Sequence, residues 1–222
     1  MYTKYCILII FFFFYSASGQ LKLEVRLINS IANVTISNNS KEYYVLPIDI
    51  YHLRPYEGDC GSFSDYEPEF PSFSLMVNFI TTNNKRENYV LGYKHFDNVD
   101  SVKKDIETKR AIYQKKIKIW GDNNNIQDYG LALINYNLNN NLIYLKPYEK
   151  KSFNIKFDLN NITDQELIFY NYILDKTNNY KFYLSLCSYK DIDRYLTPSQ
   201  KRKLKKYKLF SGSLISNMLK WE

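Results

Sequence analysis

The chain has 222 residues, a formal net charge of +7, 45% apolar side chains, and 22 tyrosines with 14 phenylalanines. That apolar mass excludes a disordered polyelectrolyte and suffices for one large or two small packed domains. With two histidines and three cysteines at scattered positions, the ligand set of an ordinary zinc site is not written here.

The first element is a leader. Lys4 is the only charge ahead of an apolar-aromatic run at 6–15, and the small residues Ala17 and Gly19 follow. The run is shorter than the ~20 residues a membrane-spanning helix needs, and the small-x-small pair suits cleavage before Gln20. Residues 1–19 therefore read as a signal peptide and 20–222 as one exported domain, periplasmic or extracellular, with no transmembrane segment. Cys6 lies inside the run, which leaves no lipid-attachment box. Losing Lys4 lowers the net charge to +6.

From Leu21 the pattern alternates: Leu21, Leu23, Val25 and Leu27 face one way, Lys22, Glu24 and Arg26 the other, which is the period of a half-buried strand. "IANVTIS" at 31–37, the turn residues Asn38, Asn39 and Ser40, and "EYYVLPI" at 42–48 then predict successive antiparallel strands through residue 50. Further strands are predicted at 72–80, 88–93, 131–138, 142–145, 152–159, 180–187 and 214–221. Many short strands separated by turns indicate a sandwich.

Two stretches break that pattern. The loop at 54–71 has no periodicity and gathers Glu57, Asp59, Asp65, Glu67 and Glu69 around Cys60, opposite in sign to the rest of the chain. Long irregular loops often bind, and this one is either a solvated loop or a dock for a basic partner. Its spacing matches no calcium loop, nor does "DNNNIQD" at 122–128, so no metal or cofactor is expected. At 98–120, Val99, Val102, Ile106, Tyr113, Ile117 and Trp120 recur at spacings of three, four and seven, with lysines and acids on the other sides. That predicts an amphipathic helix, stopped by Gly121, covering a β layer or serving a partner or a membrane surface.

Near the C-terminus six cations, Lys201, Arg202, Lys203, Lys205, Lys206 and Lys208, fall within eight residues. Thr197 is a good N-cap and Pro198 suits the first helical position, so a short basic helix is predicted, pinned by Leu204 and Tyr207. In an exported protein without base-reading or stacking elements, nucleic acid is not the expected partner. The patch is a solvated face or a site for anionic polysaccharide or envelope surface.

After export two cysteines remain, Cys60 and Cys187, and an even pair in an oxidising compartment suggests one disulfide, a closure that would stabilise by roughly 4 to 5 kcal/mol; the alternative is two unpaired thiols, Cys187 buried in its strand and Cys60 exposed in a loop. No serine elbow, phosphate loop or His-anchored motif is present, and His52 and His95 read as surface or strand-end residues. No catalytic residue is assigned.

"LEVRLINSIANVTISNNSKEYYVLP", "IYLKPYEKKSFNIKF", "YKFYLSL" and "LFSGSLISNMLKW" resemble small exported immunoglobulin-like β-sandwich proteins of flavobacterial type, over about half the mature chain. In such modules "N-x-S" leads into an aromatic strand, and an "L-x-P-G-E" turn precedes "F-x-I-x-F". Asn38, Asn39, Ser40, Leu145, Pro147, Glu149, Phe153, Ile155 and Phe157 stand at corresponding places, with Tyr148 where the turn glycine usually is. The resemblance implies an antiparallel immunoglobulin-like sandwich, to which this chain adds one amphipathic helix and one short basic helix. It carries fold information and almost none about function. The expected role is a non-catalytic binding protein, with an inhibitor of an exported hydrolase, or a hydrolase without a motif, as alternatives.

Overall fold

The computed structural model describes residues 20–58, 73–164, 167–188 and 191–221. The leader at 1–19, Cys60, and the loop acids Asp59, Asp65, Glu67 and Glu69 lie outside the described residues. The fold is mainly β, with helices gathered on one side.

Strand β1 (Leu21–Ile28) pairs with β2 (Ile31–Asn38) over eight residue pairs. Asn29 and Ser30 join them with φ of 46° and 62°. Positive φ at both central residues makes this the type I′ turn whose twist matches the strands it connects. Leu23, Val25, Val34 and Ile36 are buried, as the alternation requires. The opposite face is polar, for β2 also pairs with β8 (Lys150–Lys156), and there Asn33 bonds Asn154 at 2.8 Å and Thr35 bonds Ser152 at 2.7 Å.

The third strand departs from expectation. β3 (Tyr44–Pro47) does not continue beside β2, whose free edge β8 has taken. It pairs antiparallel with β7 (Leu142–Leu145) and parallel with β12 (Lys208–Leu209). Asn38, buried at the end of β2, turns the chain away. Its Nδ2 donates to the carbonyls of Glu42 (2.6 Å) and Lys146 (2.9 Å), and its Oδ1 accepts from the Ser40 N–H (3.0 Å) and hydroxyl (2.8 Å). On the far side of that corner the β7–β8 turn forms without its glycine. Tyr148 takes φ 59°, the Glu149 N–H reaches the Lys146 carbonyl at 3.1 Å, and the Glu149 carboxylate accepts the Lys146 N–H at 2.6 Å.

A second sheet holds β4 (Asp49–Pro55), β5 (Ser74–Thr81), β11 (Tyr180–Ser188) and β13 (Gly212–Ile215), with β14 (Leu219–Trp221) also on β11. β4 and β5 run parallel, against the antiparallel expectation. The long connection between them is sufficient for the crossover that parallel pairing demands. The stretch at 214–221 is not one strand: it breaks at Ser216, whose hydroxyl accepts the Leu184 N–H at 2.9 Å. Beside it the Asn217 side chain accepts the Val25 N–H at 2.8 Å and donates to the Val25 carbonyl at 3.1 Å, tying this sheet to β1. A small third sheet comprises β6 (Val90–Tyr93), β10 (Ile168–Asn171) and β9 (Thr163–Asp164).

The β1–β2–β8 sheet and the five-stranded sheet share one core, which Tyr44, Leu46 and Leu145 of the β12–β3–β7 sheet also join. Leu23, Val34, Ile36 and Ile155 meet Leu53, Leu75, Val77, Phe182 and Leu184, and each such side chain contributes ~1.5–3 kcal/mol on burial. Phe79 sits at its centre, 5.1 Å from the Tyr172 ring, 5.5 Å from Phe182 and 5.2 Å from Trp221.

Helix α1 (Val99–Asn124) starts where predicted, with Asn98 Oδ1 accepting the Ser101 N–H at 3.0 Å. It runs through Gly121 and ends at Asn125, in the left-handed region at φ 56°. Gly121 is there for close approach, not to stop the helix: a Cβ would stand 2.8 Å from the Ile126 carbonyl oxygen and 3.3 Å from the Ala132 Cβ. α1 packs along a second helix, α2 (Tyr129–Asn140), through Ile117, Ala132 and Leu133, which corrects the expectation that it covers a β layer.

The strand predicted at 131–138 is therefore helix. Asp128 caps it, accepting the Leu131 N–H at 2.7 Å, and Ala132, Asn135 and Leu138 share its buried side. Ile192–Tyr195 forms a 3-10 turn, and α3 (Pro198–Lys203) follows. Asn135, fully buried, binds this layer together. Its Oδ1 accepts from Trp120 Nε1 at 2.9 Å and Gln200 Nε2 at 3.0 Å, and its Nδ2 donates to the Tyr195 carbonyl and to Gln200 Oε1 at 2.7 Å.

Candidate functional site

The basic segment folds as its capping residues dictate. Thr197 and Gln200 form a capping box, with the Gln200 N–H on Thr197 Oγ1 at 3.3 Å and the Thr197 N–H on Gln200 Oε1 at 2.8 Å. Pro198 opens α3 as expected. Leu204 is buried with Val45, Phe73, Leu138, Ile192 and Leu196, and Tyr207 packs on the same cluster. The helix is only six residues long, so the cations are shared among α3, the turn at 204–206 and β12.

They are not equivalent. Lys201 pairs with Asp193 at 3.2 Å and Lys208 with Glu42 at 3.3 Å, both exposed pairs worth at most about 1 kcal/mol. Arg202, Lys203, Lys205 and Lys206 have no ion pair among the described residues and are exposed. The Lys206 ammonium lies 5.2 Å from the Tyr43 ring centre and 5.1 Å from that of Tyr207. Tyr207 in turn meets Tyr43 edge-on at 5.7 Å and Tyr144 at 5.1 Å. Burial, then the neighbouring Tyr207, raises the Tyr144 phenol above its ordinary value, so it stays a neutral donor. The surface is thus three tyrosine rings at the rim of the β12–β3–β7 sheet, with exposed cations beside them.

Tyr43 and Tyr144 were not legible as site residues, since 101 positions of chain separate them. Only the pairing of Val45 with Tyr144 and of Lys208 with Tyr44 brings them to one edge.

The other predicted sites are less complete. Glu57 pairs with the nearly buried Arg54 at 3.2 Å, so it is engaged within the fold. The remaining loop acids lie outside the described residues, as does Cys60. Cys187 is buried in β11.

His52 lies in β4 with its ring largely exposed, and His95 is exposed just after β6. The His52 Nδ1 bonds Asp49 Oδ2 at 2.8 Å, while Asp49 Oδ1 accepts the N–H groups of Tyr51 (2.8 Å) and His52 (3.2 Å). The Asp49 hydrogen bond raises the imidazole above its ordinary value against a smaller opposing effect of burial. Burial works to raise the Asp49 carboxyl, but the His52 ring and the backbone donors together hold it below the ordinary value. Ser74 completes the cluster in the wrong order for nucleophilic catalysis. Its buried hydroxyl donates to Asp49 Oδ2 at 3.3 Å, whereas an activated serine must give its proton to the imidazole. Among the described residues no group of His, Cys, Asp or Glu has the geometry of a metal site, and no helix is long and apolar enough to cross a membrane.

Comparison of the chain with protein-family models, curated proteins and solved structures finds no match.

Proposed function

We propose that this is an exported, non-catalytic binding protein that holds an anionic polysaccharide of the cell envelope or the extracellular space. The surface of Tyr43, Tyr144, Tyr207 and Lys206, flanked by Arg202, Lys203 and Lys205, is its site. The observation that carries the reading is Lys206 poised over two tyrosine rings beside cations with no ion pair among the described residues. Exposed aromatic rings offer apolar faces to the C–H faces of sugars, and unpaired cations answer carboxylates or sulfates along a chain. Export rests on the leader at 1–19. Two sheets around one core support an immunoglobulin-like sandwich, to which the helical layer is added.

A Cys60–Cys187 disulfide belongs to the same proposal and is supported by the burial of Cys187 in the central β11. Thiol titration of the unfolded protein before and after reduction tests it, with two new thiols expected on reduction.

The function is tested by calorimetric titration with polygalacturonate, using dextran as the neutral control. Binding should weaken by at least tenfold when Arg202, Lys203, Lys205 and Lys206 are all changed to Glu, and by a similar factor between about 50 and about 500 mM salt. Affinity that ignores both charge reversal and salt would remove the patch from the account, and inhibition of an exported protease at matching concentration would favour the inhibitor alternative.

A further inference from the structure

The helical hairpin carries a second surface, remote in sequence from the tyrosine patch. Positions 107–116 of α1 are exposed without interruption, although α1 buries Ile106 and Ile117 on either side of them. A helix held only by one flank leaves its other sides for something else.

One of those sides is hollow. Ala111, Gln114, Lys115, Lys118 and Gly121 recur at helical spacing and line an open cavity of about 650 Å³, bordered by Ile126, Gln127 and the start of α2. Its lining is partly apolar, with Ala111, Ile126 and Ala132 beside the closed seam at Gly121. Its rim is cationic. Between 109 and 118 the chain carries Lys109, Arg110, Lys115, Lys116 and Lys118 and no acid. Lys109 is paired with Asp105 at 2.6 Å and Lys116 lies 5.1 Å from the Tyr136 ring centre. Lys115 and Lys118 have no ion pair among the described residues. Asp122 is the one acid in the lining.

We infer that this cavity docks an acidic segment of a protein partner, which inserts one apolar side chain between Ala111 and Ile126 and sets its carboxylates on Lys115 and Lys118. Two features select that occupant. The volume exceeds what one phenylalanine or leucine side chain fills, so there is room for an anchor and adjacent backbone. The rim demands negative charge close to that anchor. A lipid surface matches the charge but not the concavity, because a flat layer of headgroups leaves the hollow unfilled.

The test uses a fluorescein-labelled peptide of about ten glutamates with one central phenylalanine, read by anisotropy, beside its serine-for-phenylalanine twin. Vesicles of phosphatidylglycerol and phosphatidylcholine form the third arm. The phenylalanine peptide should bind at least about tenfold tighter than its twin. The double change Lys115→Glu and Lys118→Glu, and separately Ala111→Trp or Gln114→Trp to fill the hollow, should each weaken it by at least about tenfold. Lys206→Glu, in the other polyanion-binding surface, should leave the ratio between the two peptides unchanged. All of the altered positions are exposed, and circular dichroism checks that each variant retains its helix. Equal binding of the twin peptides, indifference to the tryptophan variants, loss of the phenylalanine preference in Lys206→Glu, or vesicle binding without peptide binding would each overturn the inference.

Discussion

Replacing Asn135 by Ala should be among the most damaging single changes in the helical layer, and its cost can be worked from the contacts. The side chain accepts from Trp120 Nε1 and Gln200 Nε2 and donates to the Tyr195 carbonyl and Gln200 Oε1. Ala removes these four bonds, and a longer one from Asn139 Nδ2 at 3.3 Å, and leaves their partners in a site too closed for water to replace them freely. Each buried group left unsatisfied costs ~1–3 kcal/mol. Gln200 keeps the Thr197 N–H (2.8 Å) and Asn124 (3.3 Å), and Trp120 is only half-buried, so the expected total is ~3–5 kcal/mol. In a domain of this size that lowers Tm by about 10 °C. Urea unfolding followed by tryptophan fluorescence measures it, with a double-mutant cycle through Gln200→Ala. The two losses should fall short of additivity by at least ~1 kcal/mol. Because Gln200 is also the N3 residue of α3, which carries the basic patch, the same variant should weaken polysaccharide binding. A cost below ~1 kcal/mol, or strict additivity, would refute the idea that this amide ties the helices together.

Gly121→Ala should destabilise by ~1–3 kcal/mol, since the new methyl meets a backbone carbonyl oxygen at 2.8 Å and the α1–α2 seam must open; thermal unfolding reads it. Tyr148→Gly should stabilise by up to ~1 kcal/mol, because the left-handed φ at this exposed turn costs tyrosine more than glycine loses in unfolded-state entropy; equilibrium unfolding in urea decides. His52, its imidazole raised above the ordinary 6.5, contributes stability that is fully present below that value and is lost as pH rises through the higher folded value. Asp49, held below the ordinary 3.8, contributes in the opposite direction, and its share is lost as pH falls through the lowered folded value. The gap in stability between wild type and His52→Gln should therefore be largest near pH 5 and shrink above pH 6.5. It should stay under ~1 kcal/mol, because the ring is mostly in water.

The parts of the fold written in local patterning were legible. Alternation marked β1 through Leu21, Leu23 and Val25, the three-four-seven spacing marked α1, and Thr197 with Pro198 marked α3. Residues 131–138 misled because Ala132, Ile134, Tyr136 and Leu138 alternate as a strand would, while Ala132, Asn135 and Leu138 share a helical face. Asp128, three residues ahead of Leu131, is the N-cap signal that separates them. Long-range pairing was not legible. The parallel contacts of β4 with β5 and β12 with β3 depend on which edge is left free, and β8 settles that for β2 from over a hundred residues away. The candidate site shared this limit. Its cations are contiguous and were found in the sequence, whereas its rings at 43, 144 and 207 meet only once three strands have paired.

The most direct measurement is a residue-resolved nuclear magnetic resonance titration of the mature protein with polygalacturonate at low salt. Shifts confined to Tyr43, Tyr144 and the 202–208 segment, reversed by added salt, are the expected result. A map that leaves those residues unmoved, or that moves the α1–α2 cavity or the Asp49–His52 pair in their place, would contradict it.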